Sequence, residues 1–237
     1  MIKMKQNEVE WIGEISEDWE VKPLTALFSF GKGLSITKED LKENGIPVLS
    51  YGQIHSKTNT GTNIQDDLLR YVDESFLVSN PQSLVQRGDF IFADTSEDLD
   101  GCGNCAYVNY FDSKLFSGYH TVIFNVTYSG FCIHLRNKEP QKINSKFLLY
   151  FFRSDYFRNE LQRLSQGSNI SNINQDLLSH IKIPLVDIRF QESVVDFLNK
   201  KCTAIDTVIE QKQNLIEKLT EYKKSLIYEC VTGKKEI

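Results

Sequence analysis

Proline and glycine are both missing from Phe190 to Thr232, and no other property of this 237-residue sequence is as informative. Nothing in that stretch interrupts a helix by its local chemistry. Cysteine is scarce as well. The five present (Cys102, Cys105, Cys132, Cys202 and Cys230) are odd in number and scattered, which argues against a disulfide framework and fits a reducing cytoplasm. Long apolar runs are also lacking. The longest, Phe147-Leu-Leu-Tyr-Phe-Phe152, is far too short to span a bilayer, so no membrane partner is expected. The opening Met1-Ile-Lys-Met-Lys has no apolar stretch of the kind a secretory signal carries. Against these absences stand a hydrophobic content of 41% and an aromatic content of 11%, enough for a real core.

Within the stretch free of glycine and proline, an apolar or long-stemmed residue recurs at alternating steps of four and three. The series runs Val194, Leu198, Lys201, Ile205, Val208, Lys212, Leu215, Leu219, Tyr222 and Leu226, with Ile209 and Ile216 broadening the stripe. Glu210, Gln211, Glu217, Lys218 and Glu221 belong to the opposite face. The pattern predicts one helix on the order of 60 Å long, at ~1.5 Å per residue. A seam of that length cannot bury itself against its own domain and asks for a second helix. Leu198, Ile205, Val208, Leu215, Leu219, Tyr222 and Leu226 are the expected pairing residues. The alternative is an ordinary packed helix in an all-α core.

The rest of the chain divides in two. Residues 1–23, with Trp11, Ile12, Ile15 and Trp19 among acidic residues, read as a lead-in segment that packs on something else. Residues 24–187 alternate strand-like runs with turn signals: Ile46–Tyr51 after Asn44-Gly45, Phe90–Ala93 after Arg87-Gly88-Asp89, Tyr107–Tyr110, His120–Val126 and Phe131–Leu135. A helical pattern follows from Asn144 to Leu164, with Ser145 as N-cap, then a polar loop, a short helix near Gln175–Ser179 and a strand at Ile181–Pro184. The expected class is therefore α+β: a mixed globular domain at 24–187, then a long helix at 188–237 in an antiparallel coiled coil. No internal repeat is visible.

The net charge of −5 speaks mildly against nucleic acid, but it is unevenly spread. Residues 1–140 carry 12 basic and 20 acidic side chains, residues 141–190 carry seven and four, and residues 191–237 carry eight of each. The one basic surplus rests on Lys142, Lys146, Arg153, Arg158 and Arg163.

Several motifs occur in a telling order. Trp11-Ile-Gly-Glu-Ile-Ser-Glu-Asp-Trp19-Glu-Val comes first, then Gly45-Ile-Pro-Val-Leu and Gly88-Asp-Phe-Ile-Phe. Gln166-Gly-Ser-Asn-Ile-Ser-Asn-Ile and Leu177-Leu-Ser-His-Ile-Lys-Ile-Pro184 follow, then Gln191 and a closing Leu226-Ile-Tyr-Glu-Cys-Val-Thr-Gly233. The set resembles the specificity subunits of type I restriction-modification systems over nearly the whole chain. Two positions depart from the family's pattern: Phe190-Gln191 stands where Glu-Gln is usual, and Leu185-Val-Asp follows Pro184 where a second proline is usual. Full subunits of that family resemble two such units in tandem. One unit without a repeat implies a half-subunit completed by pairing with a second copy.

What the resemblance implies is sequence-specific recognition of double-stranded DNA, with no catalysis and no cofactor on this chain. Methyltransferase subunits would carry S-adenosylmethionine, and restriction subunits would join with ATP. The residues agree. Asn80-Pro81 is followed by Gln82-Ser83, without the second proline and aromatic of a base-holding methyltransferase motif. Gly31-Lys32-Gly33 is no dinucleotide loop. Glu221-Tyr222-Lys223 is a charge pair on the long helix, and Cys102-Gly-Asn-Cys105 has no second pair with which to hold a metal.

Base readout needs side chains with paired donors and acceptors, presented on loops beside a phosphate-binding surface. Tyr51, Gln53, His55 and Lys57 form one candidate cluster, Thr95, Ser96 and Asp98 another, with Tyr119-His120 and Ser168-Asn169 near element ends. Lys32 lies between two glycines, where backbone can approach a phosphate. Arg153, Arg158 and Arg163 either contact phosphate or solubilise an amphipathic helix. A protein–protein adaptor that never touches DNA and a silent recombination cassette are the competing readings.

Overall fold

Phe90, Ile91 and Phe92 are all fully buried, because the strand they form has a hydrophobic core on each face. Side chains of a strand alternate sides. Phe90 and Phe92 therefore join a cluster with Phe28, Phe152 and Phe157, while Ile91 joins another with Leu49, Ile54 and Leu115. The computed structural model describes residues 4–5, 14–17, 19–61, 64–96, 101, 103–109, 114–119, 133–138, 142–164, 171–173 and 175–235.

That strand is internal to a four-stranded antiparallel sheet in the order Cys105–Tyr107, Phe90–Phe92, Ile133–Asn137, Phe28–Lys32. A five-stranded mixed sheet runs in the order Leu41–Lys42, Arg70–Val72, Ile46–Leu49, Leu115–Ser117, Leu84–Val85. Its one parallel pair sets Val48 opposite Phe116 and Leu49 opposite Ser117. The expected strands at Ile46 and Phe90 are present. Those expected at Tyr107–Tyr110 and Phe131–Leu135 form slightly displaced, as Cys105–Tyr107 and Ile133–Asn137. His120–Val126 lies outside the described residues.

The helical pattern after Asn144 is two helices, Ser145–Phe152 and Asp155–Leu164, rather than one. Ser154 makes the break: its hydroxyl donates to the Phe151 carbonyl at 2.7 Å and accepts from the Phe157 amide at 3.3 Å, capping the second helix. Asn144, not Ser145, caps the first, its side-chain oxygen accepting from the amides of Lys146 and Phe147. Phe152 is the hub of the packing. Its ring stands edge-on to Phe90 at 5.1 Å and lies 5.3 Å from Phe92 and 4.9 Å from Phe157, tilted geometries that suit the aromatic quadrupole.

The lead-in segment packs at home. Its strand Glu20–Pro23 pairs antiparallel with Lys182–Leu185, the expected terminal strand, and Trp19 meets Phe190 with ring centroids 5.7 Å apart. Trp11 and Ile12 lie outside the described residues. Gln191 is fully buried and triply bonded. Its Oε1 accepts from the Asn144 amide at 2.8 Å, and its Nε2 donates to the carbonyls of Lys142 at 3.0 Å and Val186 at 2.7 Å. The glutamine that opens the long helix is thus a clasp that satisfies three backbone groups.

The chain divides into two compact units, Met1–Gln191 and Glu192–Ile237. The C-terminal helix is unbroken from Ile188 to Val231, 44 residues, as the pattern of the sequence requires. Along it Ile205, Val208, Leu215, Leu219 and Tyr222 are 50–61% exposed, while Leu198 and Leu226 are half-buried. Glu221, Tyr222 and Lys223 are all exposed on it. Among the described residues no helix is long and apolar enough to cross a membrane.

Candidate nucleic-acid interface

Ser50 opens a one-turn helix, Tyr51–Ile54, with a capping box. The Ser50 amide donates to Gln53 Oε1 at 3.3 Å, so the Gln53 side chain serves the backbone that carries its neighbours. Tyr51 and His55 sit one turn apart and their rings meet edge-on, centroids 4.5 Å apart. His55 Nδ1 lies 3.2 Å from Asn104 Nδ2, and Asn104 Oδ1 accepts from Arg158 Nη2 at 2.9 Å. A guanidinium only donates, which fixes the amide oxygen toward Arg158 and its NH₂ toward the imidazole. His55 Nδ1 is therefore the acceptor of this bond.

Two other segments close on this helix. The Tyr51 amide donates to the Tyr119 carbonyl at 3.3 Å, the Tyr119 amide to Ser50 Oγ at 3.2 Å, and the Gly118 amide to the Leu49 carbonyl at 2.8 Å. The turn after Lys32 joins through the Leu34 amide, which donates to the Ser117 carbonyl at 2.8 Å. Lys32 itself is exposed at the end of its strand, opposite Ile133. The glycine after it serves the protein's own backbone: a Cβ on Gly33 would lie 2.0 Å from the Gly118 carbonyl oxygen and 2.9 Å from that of Ser117. Gly33→Ala must force these strand ends apart, at about 1–3 kcal/mol by analogy with overpacked sites. Urea unfolding checks this, and an unchanged midpoint would refute it.

Thr95–Ser96 pairs antiparallel with Ser171–Asn172, Thr95 opposite Asn172 and Ser96 opposite Ser171. The Ile173 amide donates to the Asp94 carbonyl at 2.6 Å and the Ala93 amide to the Asn104 carbonyl at 3.1 Å. Two segments far apart in sequence thereby become neighbours, and Ala93 ties the first of them to the Asn104 that serves His55. Ser96 is buried at 2% exposure, whereas Lys57 is exposed in the turn after the Tyr51 helix. Asp98, His120, Ser168 and Asn169 lie outside the described residues.

The three arginines divide by role. Arg163 forms a two-pronged pair with Glu160, both bonds 2.7 Å. Arg158 holds Asn104. Arg153 makes no side-chain hydrogen bond or ion pair among the described residues and lies over Gly61. Sequence reasoning missed Asn59 and Asn104 altogether. Asn59 Nδ2 donates to the carbonyls of Ile54 at 2.7 Å and Cys105 at 3.3 Å, and its Oδ1 accepts from the Gly61 amide at 2.9 Å. No spacing signal announces such a loop staple.

Cys105 lies beneath these groups. Burial pushes its thiol up to about 12, against a smaller downward pull from Arg153 and Arg158, so it stays protonated and is a poor metal ligand. Its partner in the sequence motif, Cys102, is outside the described residues, and among those described no cluster of three potential ligands occurs. Near pH ~8, where an ordinary thiol is partly ionised, Cys105 should resist alkylation while the less buried Cys202 and Cys230 react. Peptide mapping by mass spectrometry checks this, and equal labelling of all three would contradict it.

The chain is similar to known proteins over most of its length. The Type I restriction modification DNA specificity domain matches residues 16–218. The specificity subunit of the type I restriction enzyme MjaVIII from Methanocaldococcus jannaschii is 27% identical over 230 residues, covering 94% of this chain and 48% of that protein. That of EcoKI from Escherichia coli is 24% identical over 227 residues, covering 94% and 44%. The crystal structure of the HsdS subunit from Thermoanaerobacter tengcongensis shares the fold with a TM-score of 0.54 at 16% identity, over 86% of this chain and 41% of that one. A chain from a structural study of complex assembly and conformational transition of the type I R-M system gives 0.62 at 16% identity, over 91% and 46%. The chain spans about half the length of the relatives it matches.

Proposed function

This chain belongs to the type I restriction modification DNA specificity domain family, and on that footing we propose that it reads one half of a bipartite target in double-stranded DNA. The observation that carries the reading is the meeting of the Lys32 turn, the Tyr51–Ile54 helix and the Tyr119 segment through direct hydrogen bonds, with the segment before Thr95–Ser96 joined to them through Asn104, whose carbonyl accepts from the Ala93 amide and whose side chain meets His55. Loops anchored to strand ends hold polar side chains in a fixed relation, which readout of base edges requires. Tyr51, His55 and Lys57 are the side chains to which we assign contact. Gln53 acts by shaping the turn.

The remaining parts of the proposal follow from the helix. Its 44 residues span ~66 Å, an upper limit of ~19 base pairs on the gap between half-sites at ~3.4 Å each. Its apolar seam pairs antiparallel with the helix of a second copy, giving a two-fold assembly that favours an inverted-repeat target. An antiparallel register centred on Lys212 would set Lys201 against Lys223 and Lys212 against itself. Pairing is therefore centred off that residue. Methyltransferase subunits dock on this assembly, bringing S-adenosylmethionine and the base chemistry, and restriction subunits that use ATP complete it; this chain contributes no catalytic group.

The test is a map of methylated adenines in host genomes with and without the gene. A gapped motif that disappears with the gene is expected. Unchanged methylation, together with DNA binding that does not weaken as salt is raised, would sink the proposal.

A further inference from the structure

We propose that the cleft between Arg153, Arg158 and the Asn59–Gly61 turn is a phosphate-binding subsite that takes one phosphodiester of the DNA backbone. This rests on the DNA-reading role above. The cleft is open and is walled by the two arginines, Asn59, Asn104 and Cys105 with Gly61 and Gly103. No carboxylate lines it among the described residues.

Its construction follows from the helix break at Ser154. Arg153 is the last residue of the turn that closes the first helix, and Arg158 lies in the first turns of the second. The break bends the chain so that two guanidiniums five residues apart face one space instead of lying along one helix face. The opposite wall is glycine because it must be. Gly61 has φ +74°, and a Cβ there would stand 2.8 Å from Arg153 Nη1. That wall is bare backbone that an anion can approach. Both asparagines are committed: Asn59 bonds Ile54, Cys105 and Gly61, and Asn104 bonds His55 and Arg158. They hold the rim and aim Arg158, while Arg153 keeps its donors for an incoming group. The positive field reaches the floor, since both guanidiniums act on the buried Cys105 thiol.

A pair of guanidinium forks matches the oxygens of a phosphate, each able to bond in two-pronged fashion. The site is also joined to base reading. Arg158, Asn104 and His55 form one chain of hydrogen bonds, so a phosphate held at the arginines would set the register of the Tyr51–His55 pair on the duplex.

The test uses the full chain, duplex DNA of selected and of random sequence, and inorganic phosphate. Arg153→Ala is expected to weaken both duplexes equally, by roughly fivefold, and to reduce the slope of log affinity against log salt by about one. Arg153→Lys should restore the slope and part of the affinity. The thermal midpoint should not move, since the Arg153 side chain bonds nothing among the described residues. Inorganic phosphate should shift the Arg153 side-chain NMR signals of the wild-type chain. An unchanged salt slope in Arg153→Ala, or a change in base preference in place of a uniform loss, overturns the subsite while leaving the DNA-reading role intact. Phosphate binding at Arg153 in a chain that binds neither duplex overturns the DNA-backbone assignment and the reading role together, leaving a site for free phosphate.

Discussion

Gln191→Leu is expected to lower the free energy of unfolding by about 3 kcal/mol or more, close to the whole stability of many domains of this size. Leucine keeps most of the side-chain volume, so the loss would come from hydrogen bonding rather than from a cavity. The Asn144 amide and the carbonyls of Lys142 and Val186 would all lose a buried partner. Each such group costs about 1–3 kcal/mol when it is left unmade away from water. Gln191→Glu sharpens the point. It keeps the acceptor for Asn144 but sets a carboxylate against two carbonyls. Burial and those carbonyls should raise the introduced carboxyl's folded pKa above its unfolded value. The variant's relative stability is then greatest below about pH 4, the unfolded carboxyl value, and falls as pH rises through the higher folded one. Urea titration of the full chain measures both, and a loss under about 1 kcal/mol for leucine would show that the clasp is incidental.

The second large effect concerns the seam. Leu215→Glu with Leu219→Glu is expected to turn paired chains into monomers, raising the dissociation constant by at least roughly a thousandfold. Burial of a leucine contributes about 1.5–3 kcal/mol, and a symmetric pair would lose four of them. Two substitutions on the outer face, Glu210→Gln and Glu217→Gln, should leave pairing unchanged. Sedimentation equilibrium at micromolar concentration decides the matter. A wild-type chain that is monomeric there would refute pairing through this face. Both leucines are at least half exposed in the single chain, so the fold of Met1–Gln191 should survive the double substitution, and unfolding of that unit is the internal control.

How much of this was legible in the sequence depends on the range of the forces involved. The helix Ile188–Val231 could be read residue by residue, because each step of its apolar stripe is set by neighbours three and four places away and nothing interrupts it. The strands at Ile46 and Phe90 could be read for the same reason, from short apolar runs beside turn residues. The chain alone also singled out the polar clusters, although Tyr51–Ile54 proves to be a one-turn helix and Thr95–Ser96 a short strand, and the order of its motifs pointed to the family.

Tertiary structure decided which segments meet. Thr95–Ser96 lies beside Ser171–Asn172, and His55 reaches Arg158 through Asn104, because long-range pairing leaves no periodic mark in a sequence. The helix break at Ser154 belongs here too: a serine within a continuous apolar pattern becomes a cap only once Phe152 and Phe157 pack against the sheet from two directions. Local chemistry determined the elements of this protein. Packing across the core determined which arginine holds a loop, which is neutralised by Glu160 and which is left facing an open cleft.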